Sequence, residues 1–180
     1  MTKTGMKIFW MTADQHQVAD VGTDSSLILR DNPWFKPDER EWQATWWLGV
    51  RVCRLGMKIA EKFASRYYDA VTIIMHPSHV EGDTESEFSR DGAAMCGKFV
   101  SLTLDDVTVS ADGENRLTLA ADWLRNTVDH ALGVASDLHT VKTGDIIAIP
   151  LNIAPVVPLT LHIDVDINID NQHCLLFKTR

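Results

Sequence analysis

Cysteine is scarce in this chain. Cys53, Cys96 and Cys174 are the only three in 180 residues, far apart and with no CxxC spacing. An odd, sparse set is no disulfide framework, and each suits a small buried apolar position. Glycine and proline are also few, 10 and 6, and no stretch is repetitive, compositionally biased or linker-like. A single domain over residues 1–180 is therefore expected, long enough to bury a real core. Basic runs are missing, and the net charge is −8 with a pI near 5.2. An acidic surface has no grip on phosphate backbones, which argues against nucleic acid and against an anionic membrane. Long apolar runs are missing too. The start, MTKTGMKIFWMTADQ, is too short in apolar residues for a signal peptide or a membrane span. The expected setting is cytoplasmic.

What is present is 45% hydrophobic residues, mostly in period-2 alternation, the pattern of strands rather than helices. Met6–Trp10 reads as a first strand, followed by a polar loop through Gly22-Thr23-Asp24 and a short strand at Ser26–Leu29. Gln43–Arg54 reads as a long strand, with Trp46, Leu48, Val50 and Val52 on one face and Thr45, Trp47 and Gly49 on the other. Ile59, Phe63 and Tyr67 recur every four residues and predict a helix over 57–67. Ala70–Met75 is a continuous apolar run, the mark of a strand buried on both faces. After it, 82–97 reads as an irregular loop and Phe99–Leu104 as a strand. Asp112-Gly113 is a strong two-residue hairpin signal, and Ala121, Leu124, Val128, Ala131, Leu132 and Ala135 mark a second helix. Leu159–Asp170 alternates for twelve residues and predicts the cleanest strand. The fold class is mostly β (α+β), with two helices.

In chain order come the blocks TDSSLILRDNPWFKPDE, RVCRLGMKIAEKFASRYYDAVT, Asp91-Gly92-Ala93-Ala94, the Asp112-Gly113-Glu114 hairpin, Ala121-Asp122-Trp123-Leu124 and TVKTGD: in these and their order the chain resembles the fumarylacetoacetate hydrolase family, particularly its small bacterial members acting on acylpyruvate-like and hydroxymuconate-like diacids. The resemblance implies a roll of mixed β-sheets, usually dimeric. It also implies Mg²⁺ or Mn²⁺ held by three carboxylates, with a His/Glu pair activating water for cleavage or isomerisation of a β-diketo acid.

The family's metal-binding positions are substituted. Its Glu-x-Glu pair falls on Thr45 and Trp47, and its third carboxylate on His76. Its Arg falls on Val80, its second Asp on Glu81 and its Gln on Asp83. Its substrate-binding Lys falls on Phe88 or Ser89, and its Thr-Gly-Thr-Pro turn on Ile149–Asn152. The family's catalytic His corresponds to His16. Clustered carboxylates without a metal repel one another, and large apolar side chains in the same space add burial instead. The resulting expectation is a non-catalytic member of the fold, without a bound cofactor, around a vestigial pocket of Thr45, Trp47, His76, Val80, Phe88 and Ile149. It would be structural, regulatory or ligand-binding, with a small diacid as candidate ligand, and would pair with itself or an active relative. The alternative is a metal-dependent hydrolase or decarboxylase of acylpyruvate-like acids, rebuilt around His76, His79 and Glu81 with His16. In it, His-x-x-His would recruit Zn²⁺, which accepts imidazole; the bland reading of His76–Asp83 is a solvated polar loop. Glu39 and Glu41 form a second Glu-x-Glu, and His162, Asp164, Asp166 and Asp170 an acidic row. Exposed charge is the preferred reading of both.

Overall fold

A computed structural model describes residues 5–29, 31–81, 88, 90–103, 105–153 and 156–180. Among them, the chain forms a curled nine-stranded mixed sheet and a four-stranded antiparallel sheet. The large sheet runs β2 (Val18–Thr23), β1 (Lys7–Met11), β10 (Ile146–Leu151), β4 (Trp42–Val52), β5 (Tyr68–His79), β6 (Ala94–Cys96), β3 (Leu27–Leu29). The short strands β7 (Val100–Ser101) and β11 (Val157–Pro158) pair with β5 and β4. The small sheet runs β13 (Gln172–Lys178), β12 (Asp164–Ile169), β8 (Val107–Ala111), β9 (Glu114–Leu119).

Strands β2 and β3 stand at opposite ends of the large sheet, yet only a three-residue turn, Asp24–Ser26, separates them. So short a link brings the two ends together, and the sheet curls into a roll. Strand alternation then sorts side chains into two cores. Ile8, Trp10, Trp47, Ile74, Ile146 and Ala148 point to the inside. Phe9, Met11, Trp46, Leu48, Ile73, Met75, Ile147 and Ile149 point outward, where the small sheet and α2 (Ala121–Leu138) cover them. Helix α2 buries Leu124, Val128, Ala131, Leu132 and Ala135, the expected stripe. Its first N–H is capped from a distance, since Ala121 N donates to Asp106 Oδ1 at 2.9 Å.

Several elements differ from the sequence expectation. The helix over 57–67 shrinks to one turn, α1 (Glu61–Ala64). Gly56 pairs with Val141, and Lys58 N and Ile59 N donate to the carbonyl and hydroxyl of Ser136, so α2 holds this segment extended. The presumed loop through Gly22 contains β2, and the loop over 82–97 contains β6; both lack the alternation that marks a strand. Phe99–Leu104 yields only β7, and Leu104 is outside the described residues. The twelve-residue alternation at Leu159–Asp170 yields only β12. His162 takes a left-handed backbone (φ 62°), and His162 N and Ile163 N both donate to Thr179 instead. The Asp112-Gly113 hairpin forms as expected, with positive φ at both residues.

Candidate functional site

Strands β4 and β5 pair antiparallel with Thr45 opposite His76, Trp47 opposite Ile74 and Trp42 opposite His79. The run His76-Pro77-Ser78-His79 is therefore the end of a strand and not a solvated loop. Pro77 is tolerated because it lies beyond Met75, the last β5 residue paired to β6, where its missing N–H breaks no ladder on that side. Both histidines are buried, His76 at 2% and His79 at 6% exposure. An odd spacing of three sends them to opposite faces. His76 packs inside the roll against Trp10 and Phe88, with ring centroids 5.7 and 4.4 Å away. His79 lies on the outer face against Trp42, at 3.7 Å.

Inside the roll, Trp10, Trp47, His76 and Phe88 form one aromatic cluster. Trp10 meets Trp47 edge-on at 5.0 Å and stacks on Phe88 at 4.7 Å, and Trp47 meets Phe88 edge-on at 5.3 Å. Thr45 beside it has both hydrogen-bonding roles taken. Its hydroxyl accepts from Trp47 Nε1 (3.0 Å) and donates to the His76 carbonyl (3.1 Å). Burial, aided by the positive charge of Arg90, lowers the His76 pKa to about 3, so its imidazole is neutral. Its Nε2, like Trp10 Nε1, is buried with no hydrogen-bond partner among the described residues. Gly22 of β2 closes over this cluster. A Cβ there would lie 2.8 Å from Ser26 Oγ, 3.0 Å from the Phe88 carbonyl and 3.1 Å from Trp10 Nε1.

Thr45, Trp47, His76 and Phe88 thus come together, whereas Val80 and Ile149 do not join them. Val80 is half exposed in the turn after β5, and Ile149 points to the outer core in the middle of β10. His76, His79, Glu81 and His16 do not converge. Glu81 and His79 line a small outer cleft of about 150 Å³ with Arg40 and Glu41. His16, in the β1–β2 connection, contacts His130 of α2. Asp83 and Ser89 lie outside the described residues. Glu39 and Glu41 are exposed ahead of β4. The acidic row is taken up by structure: Asp164 pairs with Arg180, Asp166 with His173, and Asp170 Oδ1 accepts from Thr108 N. Trp10 is the site residue that motif matching misses, although alternation in β1 places it on the inner face.

These inner residues do not fit Mg²⁺ or Mn²⁺, which favour an oxygen shell. An indole, a satisfied hydroxyl and a buried neutral imidazole offer it no carboxylate. Among the described residues, no three His, Cys, Asp or Glu side chains are grouped to hold a metal ion.

Comparison with solved structures places the architecture. A 5-carboxymethyl-2-hydroxymuconate delta-isomerase from Mycobacterium smegmatis superposes with a TM-score of 0.76 at 15% identity, covering 97% of this chain and 78% of that one. A fumarylacetoacetate hydrolase family protein from Yersinia pestis CO92 gives 0.71 at 13% identity, covering 96% and 91%. This chain carries the fumarylacetoacetate hydrolase fold. Maleylpyruvate hydrolase from Sphingobium sp. SYK-6, solved with manganese(II) and pyruvate, shares that fold with a TM-score of 0.75 at 15% identity over 97% and 69% of the two chains. No protein-family model and no curated protein matches the sequence. No helix among the described residues is long and apolar enough to cross a membrane.

Proposed function

We propose that this chain is a non-catalytic member of the fumarylacetoacetate hydrolase fold, using the scaffold for binding or regulation rather than for metal-dependent chemistry on keto acids. The aromatic cluster carries this reading. Trp47 occupies a position where the family resemblance implies a carboxylate ligand, and its indole packs edge-on against both Trp10 and Phe88. Thr45 at the companion position spends its hydroxyl on Trp47 and on the backbone of β5. Purified protein is expected to carry no stoichiometric Mg²⁺ or Mn²⁺ and to turn over none of a panel of acylpyruvates and oxaloacetate. A tightly bound Mg²⁺ or Mn²⁺ that is lost on His76→Ala would overturn the proposal.

The outer cleft supports a second reading, a rebuilt hydrolase or decarboxylase. It sets His79 beside Glu41, Glu81 and Arg40, an imidazole and carboxylates of the kind that transfer protons. That reading expects metal-dependent turnover that Glu81→Gln reduces at least tenfold; inactivity across the panel rejects it. We propose further that the chain pairs with itself or with an active relative through its exposed apolar side chains, of which Phe35 (68% exposed), Leu55 (71%) and Leu138 (84%) are the most exposed among the described residues. Light scattering on the purified chain tests self-association directly.

A further inference from the structure

His16 and His130 approach each other at the surface, 114 residues apart in sequence. His16 Nδ1 stands 3.2 Å from His130 Nε2, with the rings nearly perpendicular at 86°. On the far side of His130, Nδ1 lies 2.7 Å from Glu61 Oε1, at the start of α1. A carboxylate that close fixes the proton on Nδ1 of His130, so its Nε2 lone pair points at His16. This is the orienting arrangement found behind metal-bound histidines, in which a carboxylate sets the tautomer and raises the basicity of the ligand. Two imidazole nitrogens on one tetrahedral zinc, each about 2.0–2.1 Å from the ion, stand about 3.3–3.4 Å apart. The gap here, 3.2 Å, is close to that spacing, so a small turn of the exposed His16 ring aims both nitrogens at a shared ion.

His130 sits on the rigid α2. His16 sits on a tightly tied turn, where Thr12 N donates to the Gln17 carbonyl (3.0 Å), His16 N to Asp14 Oδ1 (3.1 Å) and Thr12 Oγ1 to Asp14 Oδ1 (2.6 Å). Gln15, just before His16, is held in the left-handed region at φ 60°, a conformation that a side-chain-bearing residue keeps only when its surroundings impose it. The charges close to the pair, Asp14 and Glu61, are negative. His16 also lines a groove between β2 and the C-terminal half of α2, which leaves one side of the gap open.

We propose that His16 and His130 form a two-imidazole site for a first-row transition-metal cation of the zinc type, oriented by Glu61, with water or a ligand from the groove completing the shell. Without metal, His16 Nδ1–H donates to His130 Nε2. On binding, His16 moves its proton from Nδ1 to Nε2 through solvent, both facing nitrogens coordinate, and no net proton is lost. The site ties the β1–β2 connection to α2, and it is separate from the inner cluster.

Titrating full-length protein with ZnCl₂ by calorimetry in a non-chelating buffer tests this, with CoCl₂ as a spectroscopic substitute whose visible bands report coordination. One ion per chain is expected. His16→Ala and His130→Ala should each lower affinity at least tenfold, Glu61→Gln should weaken it by roughly 10–100-fold, and His76→Leu should leave it unchanged. His16 is on an exposed turn, so its variant is readable even where His130→Ala unfolds. Absence of binding at tenfold zinc excess, or binding that survives in the His16→Ala variant, overturns the proposal. Loss of binding in His76→Leu with retention in His16→Ala would move the ion to the inner cluster, overturning this site and the proposed function together.

Discussion

His76 exchanges water for two aromatic neighbours, Trp10 and Phe88, and that exchange has a pH signature. In an unfolded chain its imidazole takes a proton near pH 6.5; in the fold it does so only near pH 3. Between these values the unfolded state binds more protons, so stability is greatest above pH 6.5 and falls as pH drops toward 3, by up to about 1.4 kcal/mol per pH unit. His76→Leu is expected to flatten that fall: comparing urea midpoints of variant and wild type at pH 7.5, 5.5 and 4.5 measures it. Gly22 makes a steric prediction. A methyl group there meets Ser26, Phe88 and Trp10 within 2.8–3.1 Å, so Gly22→Ala should cost about 1–3 kcal/mol, read from the same unfolding curves. At this scale the sequence was partly legible. Motif register pointed to Thr45, Trp47, His76 and Phe88, because strand alternation carries register into space. It could not find Trp10, Glu61 or His130, whose partners are set by how the sheet curls and how α2 lies.

Among the elements, strands with plain alternation or a continuous apolar run declared themselves, as β4 and β5 did. Those defined by their partners did not. His76–His79 reads as polar and broken by proline, yet it continues β5 because β4 supplies a matching edge down to Trp42. Conversely, Leu159–Ile163 alternates and forms no strand, since Thr179 captures the N–H groups of His162 and Ile163 while Leu159 N donates to the Trp42 carbonyl. The turn at Thr143-Gly144-Asp145 shows what a legible motif does in space. Gly144 takes φ 92°, and fully buried Asp145 accepts from Lys7 N at 2.8 Å and Lys142 N at 2.9 Å, joining the turn before β10 to the start of β1. Asp145→Ala strands two N–H donors. Given about 1–3 kcal/mol for each buried unsatisfied group, a loss of roughly 2–4 kcal/mol is expected in the denaturant midpoint, while Thr143→Ala at the exposed corner should change it far less.

At the scale of the whole molecule, the roll separates what shapes its walls from what lines its interior. Its walls depend on alternation and on a few turns. Its lining depends on the identities of a handful of inward residues, and these are free to change as long as the volume stays filled. The same walls impose an order of events during synthesis. Strand β1 lies between β2, its neighbour in the chain, and β10, whose pairing joins Ile8 to Ile146. The Lys7–Asp145 clamp spans 138 residues. A ribosome must therefore release the chain through β10 before β1 finds its second partner, and until then one edge of β1 stands open. Chains stopped before residue 145 should remain protease-sensitive throughout, while extension past Leu151 should bring protection to β1, β4 and β5 in a single step. Refolding from denaturant should likewise be slow, because long-range closure must precede any reward from burial.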